Sequence, residues 1–147
     1  MQASAELKDL VLRFYGALAQ GDMAYVAQTM SVEPGVVFIG TDPQEVWTGP
    51  EAIAAFQAQA AAMGGGLPVV AGDPQAYVEG TVGWATDQSK FAFADGSEMP
   101  FRATHVFHQV DGAWKLVQAH YSIGVSSGLA LLLGVYSAIS GRSGMSA

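Results

Sequence analysis

The stretch Arg102–Ser122, RATHVFHQVDGAWKLVQAHYS, decides the fold of this 147-residue chain. Apolar and polar residues alternate on both sides of Asp111-Gly112, which is typical of two antiparallel β-strands joined by a tight turn. All three histidines of the chain lie within this stretch. Polar groups in an otherwise apolar sheet need partners, because an unpaired buried polar group is costly. The pairing of the two strands therefore decides where these polar side chains meet.

Two hairpin loops fit the sequence, and they differ by one residue in strand register. A two-residue loop pairs Val110 with Ala113, whereas a three-residue loop pairs Gln109 with Ala113 and places Arg102 opposite His120. A slip of one residue moves a whole strand to the other face of the sheet. The three-residue loop gathers the polar side chains on one face, where each mutual hydrogen bond contributes roughly 1 kcal/mol, and we therefore predict it. The resulting polar cluster consists of Arg102, Thr104, Gln118, His120 and Ser122.

The opposite face of the same two strands is predicted to be apolar, with His105 as its one polar residue. We interpret both His105 and His108 as structural or surface residues. The apolar residues of this face are Phe101, Ala103, Phe107, Val117, Ala119 and Tyr121.

The polar cluster has three interpretations that stay open. It forms a structural network, it lines a ligand pocket, or it supports catalysis. In the catalytic interpretation the His120 imidazole acts as a base or as a hydrogen-bond donor. A buried Arg102 needs an anion, which Asp42, Glu45 or a ligand would supply.

The first half of the chain shows helical periodicity. Apolar residues from Leu7 to Leu18 predict a helix that Ser4 caps and Gly21 ends, and Asp22 then caps a short second helix. Helices first and an antiparallel meander last favour an α+β domain without parallel crossovers. The other predicted elements are a strand over Val36–Gly40, a loop over Thr41–Gly49, a helix over Pro50–Met63, and strands near Val69–Ala71, Ala76–Thr86, Lys90–Ala94, Pro100–Val110 and Ala113–Val125.

Composition excludes several classes of function. A net charge of −7 and a pI near 4.6 are unsuited to nucleic acids and to anionic membranes. The chain has no cysteine, which excludes disulfides and thiolate metal sites and fits a cytoplasmic location. Three separated histidines do not make a metal site, so we expect no metal and no cofactor.

The most apolar run, Gly128–Ile139, is shorter than the roughly 20 residues of a bilayer span. It is a core element, a lid or a dimer contact.

Three stretches together resemble one known superfamily. They are IGTDPQEVWTGPEAI over Ile39–Ile53, RATHVF from Arg102, and DGAWKLVQAHYSIGV over Asp111–Val125. This pattern is similar to the SnoaL-like branch of the nuclear transport factor 2-like superfamily. The resemblance implies a cone-shaped, curved antiparallel sheet wrapped around about three N-terminal helices. It also implies one domain over residues 1–125 and a homodimer formed through the sheet. The composition of the residues that follow, 126–147, predicts an apolar extension and a disordered tail.

The resemblance leaves three functions open. Relatives such as ketosteroid isomerase, scytalone dehydratase and polyketide cyclases carry out proton transfer on apolar carbonyl compounds. The first expectation is a protein that binds a small apolar molecule in the cone cavity. The alternatives are a metal-free isomerase, cyclase or dehydratase, and a non-catalytic dimerisation module that uses the apolar sheet face.

The expected site residues fall into two groups. As an enzyme, the chain would use His120 as proton shuttle, Asp42 to orient His120 or Arg102, and Arg102 to stabilise a developing enolate. The remaining expected ligand-binding residues are Tyr15, Phe38, Trp47, Phe56, Trp84, Thr104, Gln118 and Ser122.

Overall fold

The computed structural model describes residues 1–132. An eight-stranded sheet and four helices make up this part of the chain, in the α+β arrangement that the sequence predicts. The elements in chain order are β1 (Gln2–Ala3), α1 (Ala5–Gln20), α2 (Met23–Thr29), β2 (Val37–Ile39), β3 (Val46–Thr48), α3 (Pro50–Ala62), β4 (Val69–Val70), β5 (Gln75–Glu79), β6 (Val82–Ala92), β7 (Glu98–Val110), β8 (Ala113–Ser122) and α4 (Ser127–Leu132).

The first two helices begin at the predicted capping residues, and the first ends at the predicted glycine. The Leu7 amide N–H donates to Ser4 Oγ at 3.2 Å, and the Tyr25 amide N–H donates to Asp22 Oδ1 at 3.1 Å. Gly21 ends α1 in the left-handed conformation, with φ of +73°. These predictions are confirmed because helix caps depend on local sequence.

The glycine run after α3 packs against the end of α1. A Cβ on Gly21 would lie 1.8 Å from the Gly65 carbonyl oxygen, so the two backbones touch. The Leu67 N–H then donates to the Leu18 carbonyl at 2.8 Å. Gly64–Gly66 therefore ends α3 and holds its C-terminus against α1.

The sheet has the order β1-β5-β6-β7-β8-β2-β3, and β4 pairs with the C-terminal end of β6, on the same edge as β5. Three predictions about its strands are wrong. The strand predicted over Ala76–Thr86 is broken at Gly80-Thr81, so β6 runs from Val82 through the predicted gap to Ala92. Trp47 lies in a short strand rather than in a loop. The β2–β8 pair is parallel, whereas no parallel pairing was expected.

The hairpin between β7 and β8 has the two-residue loop, so the predicted three-residue loop is wrong. Val110 pairs with Ala113, and both Asp111 and Gly112 have positive φ, of +50° and +78°. Two positive φ values define the turn whose twist matches that of the flanking strands, and Asp-Gly is a preferred sequence for it. Local turn geometry therefore outweighs the gathering of polar groups.

A β-bulge restores the predicted grouping of the polar cluster by another route. Val106 pairs with Gln118 and Phe107 with Leu116, so Val117 is an extra residue in β8. Beyond the bulge the register is shifted by one residue. Thr104 faces His120 and Arg102 faces Ser122, not His120 as predicted.

The two faces of this hairpin have the opposite orientation to the one predicted. The apolar face points toward the helices and forms the core, with Phe101 and Phe107 2% and 1% exposed. The face that carries the polar cluster points to solvent. Burying the apolar face releases more free energy than burying the polar one, because charged and polar groups keep their hydration outside.

The predictions for the C-terminal residues 126–147 stay predictions. The helix α4 covers the beginning of the apolar run Gly128–Ile139, and the rest of that run and the predicted disordered tail lie outside the described residues. None of the helices between residues 1 and 132 combines the length and apolar character needed to cross a bilayer.

Candidate functional site

A cavity of about 290 Å³ lies between α1, α3 and the inner face of the sheet. Its wall is mainly aromatic and aliphatic, with a few polar groups. The aromatic residues are Tyr15, Trp47, Phe56, Phe91, Phe93, Phe101 and Tyr121, and the aliphatic ones include Leu18, Ala62, Met63, Leu67, Val69 and Met99.

Phe56 on α3 organises the aromatic wall. Its ring centroid lies 6.5 Å from that of Trp47, 6.3 Å from that of Tyr121 and 6.4 Å from that of Phe14. The contacts with Phe14 and Tyr121 are edge-to-face, the arrangement that aromatic quadrupoles favour. α3 therefore presents one large apolar side chain that joins the helical layer to the sheet.

Glu45 holds one side of the cavity in place. Its Oε1 accepts a hydrogen bond from Gln59 Nε2 at 2.7 Å, and its Oε2 accepts from the Asp42 amide N–H at 3.1 Å. Glu45 and Gln59 both line the cavity with Gly40 and Thr41. A Cβ on Gly40 would lie 2.1 Å from Glu45 Oε2, so glycine lets the carboxylate fold back over the chain.

A chain of three polar side chains begins at Tyr15 and leads away from the cavity. Ser89 Oγ lies 3.4 Å from the Tyr15 hydroxyl and donates to Asp87 Oδ2 at 2.5 Å. The Gly72 amide N–H also donates to Asp87 Oδ2, at 3.0 Å. Asp87 Oδ1 is buried and has no hydrogen-bond partner among the described residues.

Tyr121 has its own buried partner, His105. The Tyr121 hydroxyl lies 3.4 Å from His105 Nε2, and His105 Nδ1 has no partner in the described part of the chain. The imidazole is fully buried, and its ring neighbours include Phe14, Tyr15 and Phe107. His105 is therefore the histidine that faces the interior.

Burial sets the protonation of this inner polar group. Desolvation lowers the pKa of His105 to about 4, so the imidazole is neutral at pH 7. Desolvation also raises the pKa of both tyrosines. For Tyr15, the Asp87 charge adds to this rise in pKa. Both phenols are therefore protonated hydrogen-bonding groups at neutral pH.

Of the predicted aromatic ligand contacts, Tyr15, Trp47 and Phe56 line the cavity. Phe38 does not. It is fully buried, with its ring centroid 6.2 Å from that of Phe56. Trp84 lies on the outer face of the sheet, where its ring stacks on Tyr77 at a centroid distance of 6.3 Å. The expectation that Trp84 faces the cone interior is therefore wrong.

The predicted polar anchors lie away from this cavity. Arg102, Thr104, Gln118 and His120 are exposed on the outer face, and Ser122 is half-exposed there. The expectation that they share the aromatic cavity is wrong, because the bulge and the inward apolar face turn them to solvent.

Asp42 is exposed and does not meet Arg102 or His120. Its Oδ1 accepts from the Gln44 amide N–H at 2.8 Å, and no ion pair within residues 1–132 includes Asp42 or Arg102. Arg102 instead lines a second hollow of about 540 Å³ beside β4, together with the ion-paired Lys90 and Glu98. That hollow is larger but carries charged, solvated side chains. The catalytic roles assigned to His120, Asp42 and Arg102 stay predictions.

Sequence reasoning missed the inner polar residues Asp87, Ser89, His105 and Tyr121 as site candidates. His105 did stand out as the one polar residue on an apolar strand face. Asp87 and Ser89 occupy inward positions of β6, on the same face as Ala85 and Phe91, and they alternate with the outward Thr86 and Gln88. Breaking β6 at the wrong place hid that alternation.

The inner polar group suits hydrogen bonding to an uncharged ligand better than metal binding. No set of three His, Cys, Asp or Glu side chains in residues 1–132 lies close enough together to hold a metal ion. The cavity instead offers two phenols in an apolar wall, each with a buried partner. Such phenols orient a carbonyl or hydroxyl group, and they can stabilise charge that develops on it.

Comparisons with known proteins agree with this architecture. A sequence profile of the SnoaL-like domain matches residues 7–126. Comparison with curated proteins found no significant match.

Solved structures share the fold at low sequence identity. A Pseudomonas putida NTF2-like protein of unknown function has a TM-score of 0.75 and 15% identity, over 85% of this chain and 89% of that one. A Salmonella enterica NTF2-like superfamily protein has a TM-score of 0.69 and 20% identity, over 84% and 92%. A Caulobacter vibrioides protein with a cystatin-like fold has a TM-score of 0.67 and 15% identity, over 89% and 95%. Because the profile matches residues 7–126, the chain belongs to the SnoaL-like domain family, and it shares its fold with these solved structures.

Proposed function

We propose that the protein binds a small, uncharged and mainly apolar molecule in the cavity between α1, α3 and the sheet. The observation that carries the proposal is a cavity of about 290 Å³ whose wall is largely aromatic. Ligand sites are typically apolar hollows with a few polar groups that fix orientation. Among the described residues that line the cavity, Glu45 is the one with a charged side chain. Its carboxylate already accepts hydrogen bonds from the Gln59 side chain and from the Asp42 amide N–H. An anionic ligand is disfavoured by that carboxylate and by the acidic chain.

The proposal is tested with 2-ethylnaphthalene, a neutral apolar probe, by quenching of tryptophan fluorescence and by thermal shift. Two variants on α3 provide a matched pair. Both alanines are exposed, but Ala62 lines the cavity and Ala58 does not. We expect Ala62→Trp to weaken binding at least tenfold and Ala58→Trp to leave it unchanged. No binding by the wild type, or equal affinities in the two variants, contradicts the proposal.

A second candidate, an acid/base isomerase, cyclase or dehydratase, is supported by the buried carboxylate behind Tyr15. Asp87 connects through Ser89 to a phenol of the cavity wall, an arrangement that can move a proton. The candidate is tested by turnover of an enolisable ketone. Loss of turnover in Tyr15→Phe with full turnover in His120→Ala supports chemistry in the cavity. The reverse result supports the assignment of proton transfer to His120 on the outer face, and no turnover in the wild type excludes both for that ketone.

The third candidate is a non-catalytic dimerisation module. The residues expected to carry it pack against the core, and they are Phe101, Phe107, Val117 and Tyr121. The outer face instead presents the stacked Tyr77 and Trp84. Homodimer formation through this face and a cytoplasmic location stay predictions, and light scattering of the wild type and of Trp84→Lys tests the former. A monomeric wild type at micromolar concentration excludes this candidate.

A further inference from the structure

The hydrogen bonds around Ser89 determine whether the Tyr15 hydroxyl acts as donor or acceptor toward Ser89. The Ser89 hydroxyl has one proton, and both Asp87 Oδ2 and the Tyr15 oxygen lie within reach, at 2.5 and 3.4 Å. A separation of 2.5 Å is that of a charge-assisted O–H···O⁻ bond. Oδ2 also accepts from the Gly72 amide, so it acts as an acceptor toward both neighbours. The Ser89 proton therefore goes to Asp87, and the Tyr15 O–H donates to Ser89 Oγ.

This direction leaves Tyr15 as an acceptor toward the cavity. A phenol has one proton and two lone pairs. Once the proton is committed to Ser89, the phenol oxygen can only accept from a ligand in the cavity. Deprotonation does not change this at neutral pH, because burial raises the pKa of Tyr15.

Tyr121 has the opposite role, as a hydrogen-bond donor toward the cavity. His105 is neutral, so one of its nitrogens carries a proton and the other a lone pair. Nδ1 is buried without a partner in the described residues. An orphaned buried N–H is rarer than an under-satisfied acceptor, so we assign the lone pair to Nδ1 and the proton to Nε2. Nε2–H then donates to the Tyr121 oxygen, and the Tyr121 O–H is free to donate.

We propose that the cavity selects uncharged ligands that present a hydrogen-bond donor to Tyr15 and an acceptor to Tyr121, as a hydroxy-ketone or an enol does. This inference rests on the proposed binding function and adds a ligand class to it. Both tyrosines line the same cavity and flank the same imidazole, each at a ring-centroid distance of 5.6 Å. The two directions make this pair of phenols complementary to one arrangement of donor and acceptor in a ligand.

Three naphthalene probes of similar shape test the two directions separately. 2-Naphthol offers an O–H donor, 2-acetylnaphthalene offers an acceptor without a donor, and 2-ethylnaphthalene offers neither. Dissociation constants are measured for the wild type, Tyr15→Phe, Tyr121→Phe and Ser89→Ala, after near-UV circular dichroism has shown that each variant is folded. One neutral hydrogen bond corresponds to a change of roughly 2- to 12-fold.

We expect Tyr15→Phe to weaken the binding of 2-naphthol and to leave the affinity for 2-acetylnaphthalene unchanged. Tyr121→Phe is expected to weaken the binding of 2-acetylnaphthalene. Neither variant changes the affinity for 2-ethylnaphthalene. Ser89→Ala frees the Tyr15 proton, so we expect it to strengthen the binding of 2-acetylnaphthalene. This variant tests the direction of the Tyr15 hydrogen bond without replacing either tyrosine. The inference is overturned if Tyr15→Phe weakens the binding of 2-acetylnaphthalene. It is also overturned if the three variants bind all three probes as tightly as the wild type does. Failure of 2-ethylnaphthalene to bind at all overturns the binding function itself.

Discussion

The buried imidazole of His105 makes folding stability depend on pH. Its pKa is about 4 in the folded protein and near 6.5 in an unfolded chain. Between these values the unfolded state binds more protons, so stability falls as the pH drops from 6.5 toward 4. At 1.36 kcal/mol per pKa unit, the loss attributable to His105 is about 2 kcal/mol between pH 7 and pH 5, and about 3 kcal/mol once the pH is below 4.

The contribution of His105 is isolated by comparison with His105→Phe. Phenylalanine keeps an aromatic ring among the neighbouring rings and does not titrate, while Tyr15, Tyr121 and Asp87 are retained. Urea unfolding at pH 7, 6 and 5 gives the free energy of unfolding for each protein. We expect the wild type to lose about 2 kcal/mol more than the variant between pH 7 and pH 5.

The matched control is His120→Asn, which alters an exposed histidine on the outer face. It is expected to follow the wild-type pH dependence, because it retains the buried His105. Equal pH dependence of the unfolding free energy in the wild type and in His105→Phe refutes the reasoning. A buried neutral imidazole must lower the stability of the folded state as the pH falls through this range.

Three further predictions concern packing and the backbone. Phe56→Ala should cost about 3–5 kcal/mol in urea unfolding, because it removes a ring that is 5% exposed and contacts four others; a cost below 1 kcal/mol contradicts its central role. Gly21→Ala should cost at least about 2 kcal/mol, because a left-handed residue would gain a Cβ 1.8 Å from the Gly65 carbonyl oxygen. Gly16→Ala in open space on α1 should stabilise by about 0.5–1 kcal/mol, and the same sign for both glycines contradicts the packing argument. Ser4→Ala should lower the thermal midpoint through the loss of about 1 kcal/mol of capping, and Ser4→Asp should not.

Local signals predict the helical part of the fold well. Ser4, Gly21 and Asp22 act within one turn of themselves, so their roles can be deduced from neighbouring residues alone. The parallel pairing of β2 with β8 joins Phe38 to Ala119 and has no local signal. The bulge at Val117 is equally hidden, because the alternation of side chains continues on both sides of it.

The candidate site could be predicted in its aromatic part but not in its polar part. Tyr15, Trp47 and Phe56 were expected as cavity contacts, since large aromatic side chains on the first helix, the loop and α3 have one interior to fill. Asp87 was missed because the break between β5 and β6 is set by Gly80-Thr81, which is a weaker turn signal than Asp111-Gly112.

Periodicity groups side chains by face but does not say which face is buried. The polar cluster on β7 and β8 was correctly grouped and wrongly assigned to the interior. The apolar stripe of α1 decides the matter, because it needs an apolar surface to pack on. Burying Phe101 and Phe107 contributes roughly 1.5–3 kcal/mol each, whereas burying Arg102 without a carboxylate would cost several kcal/mol. A group of polar residues that share a strand face is therefore expected to be hydrated. A single polar residue such as His105 on the apolar face cannot escape burial, and it is the one that identifies the interior site.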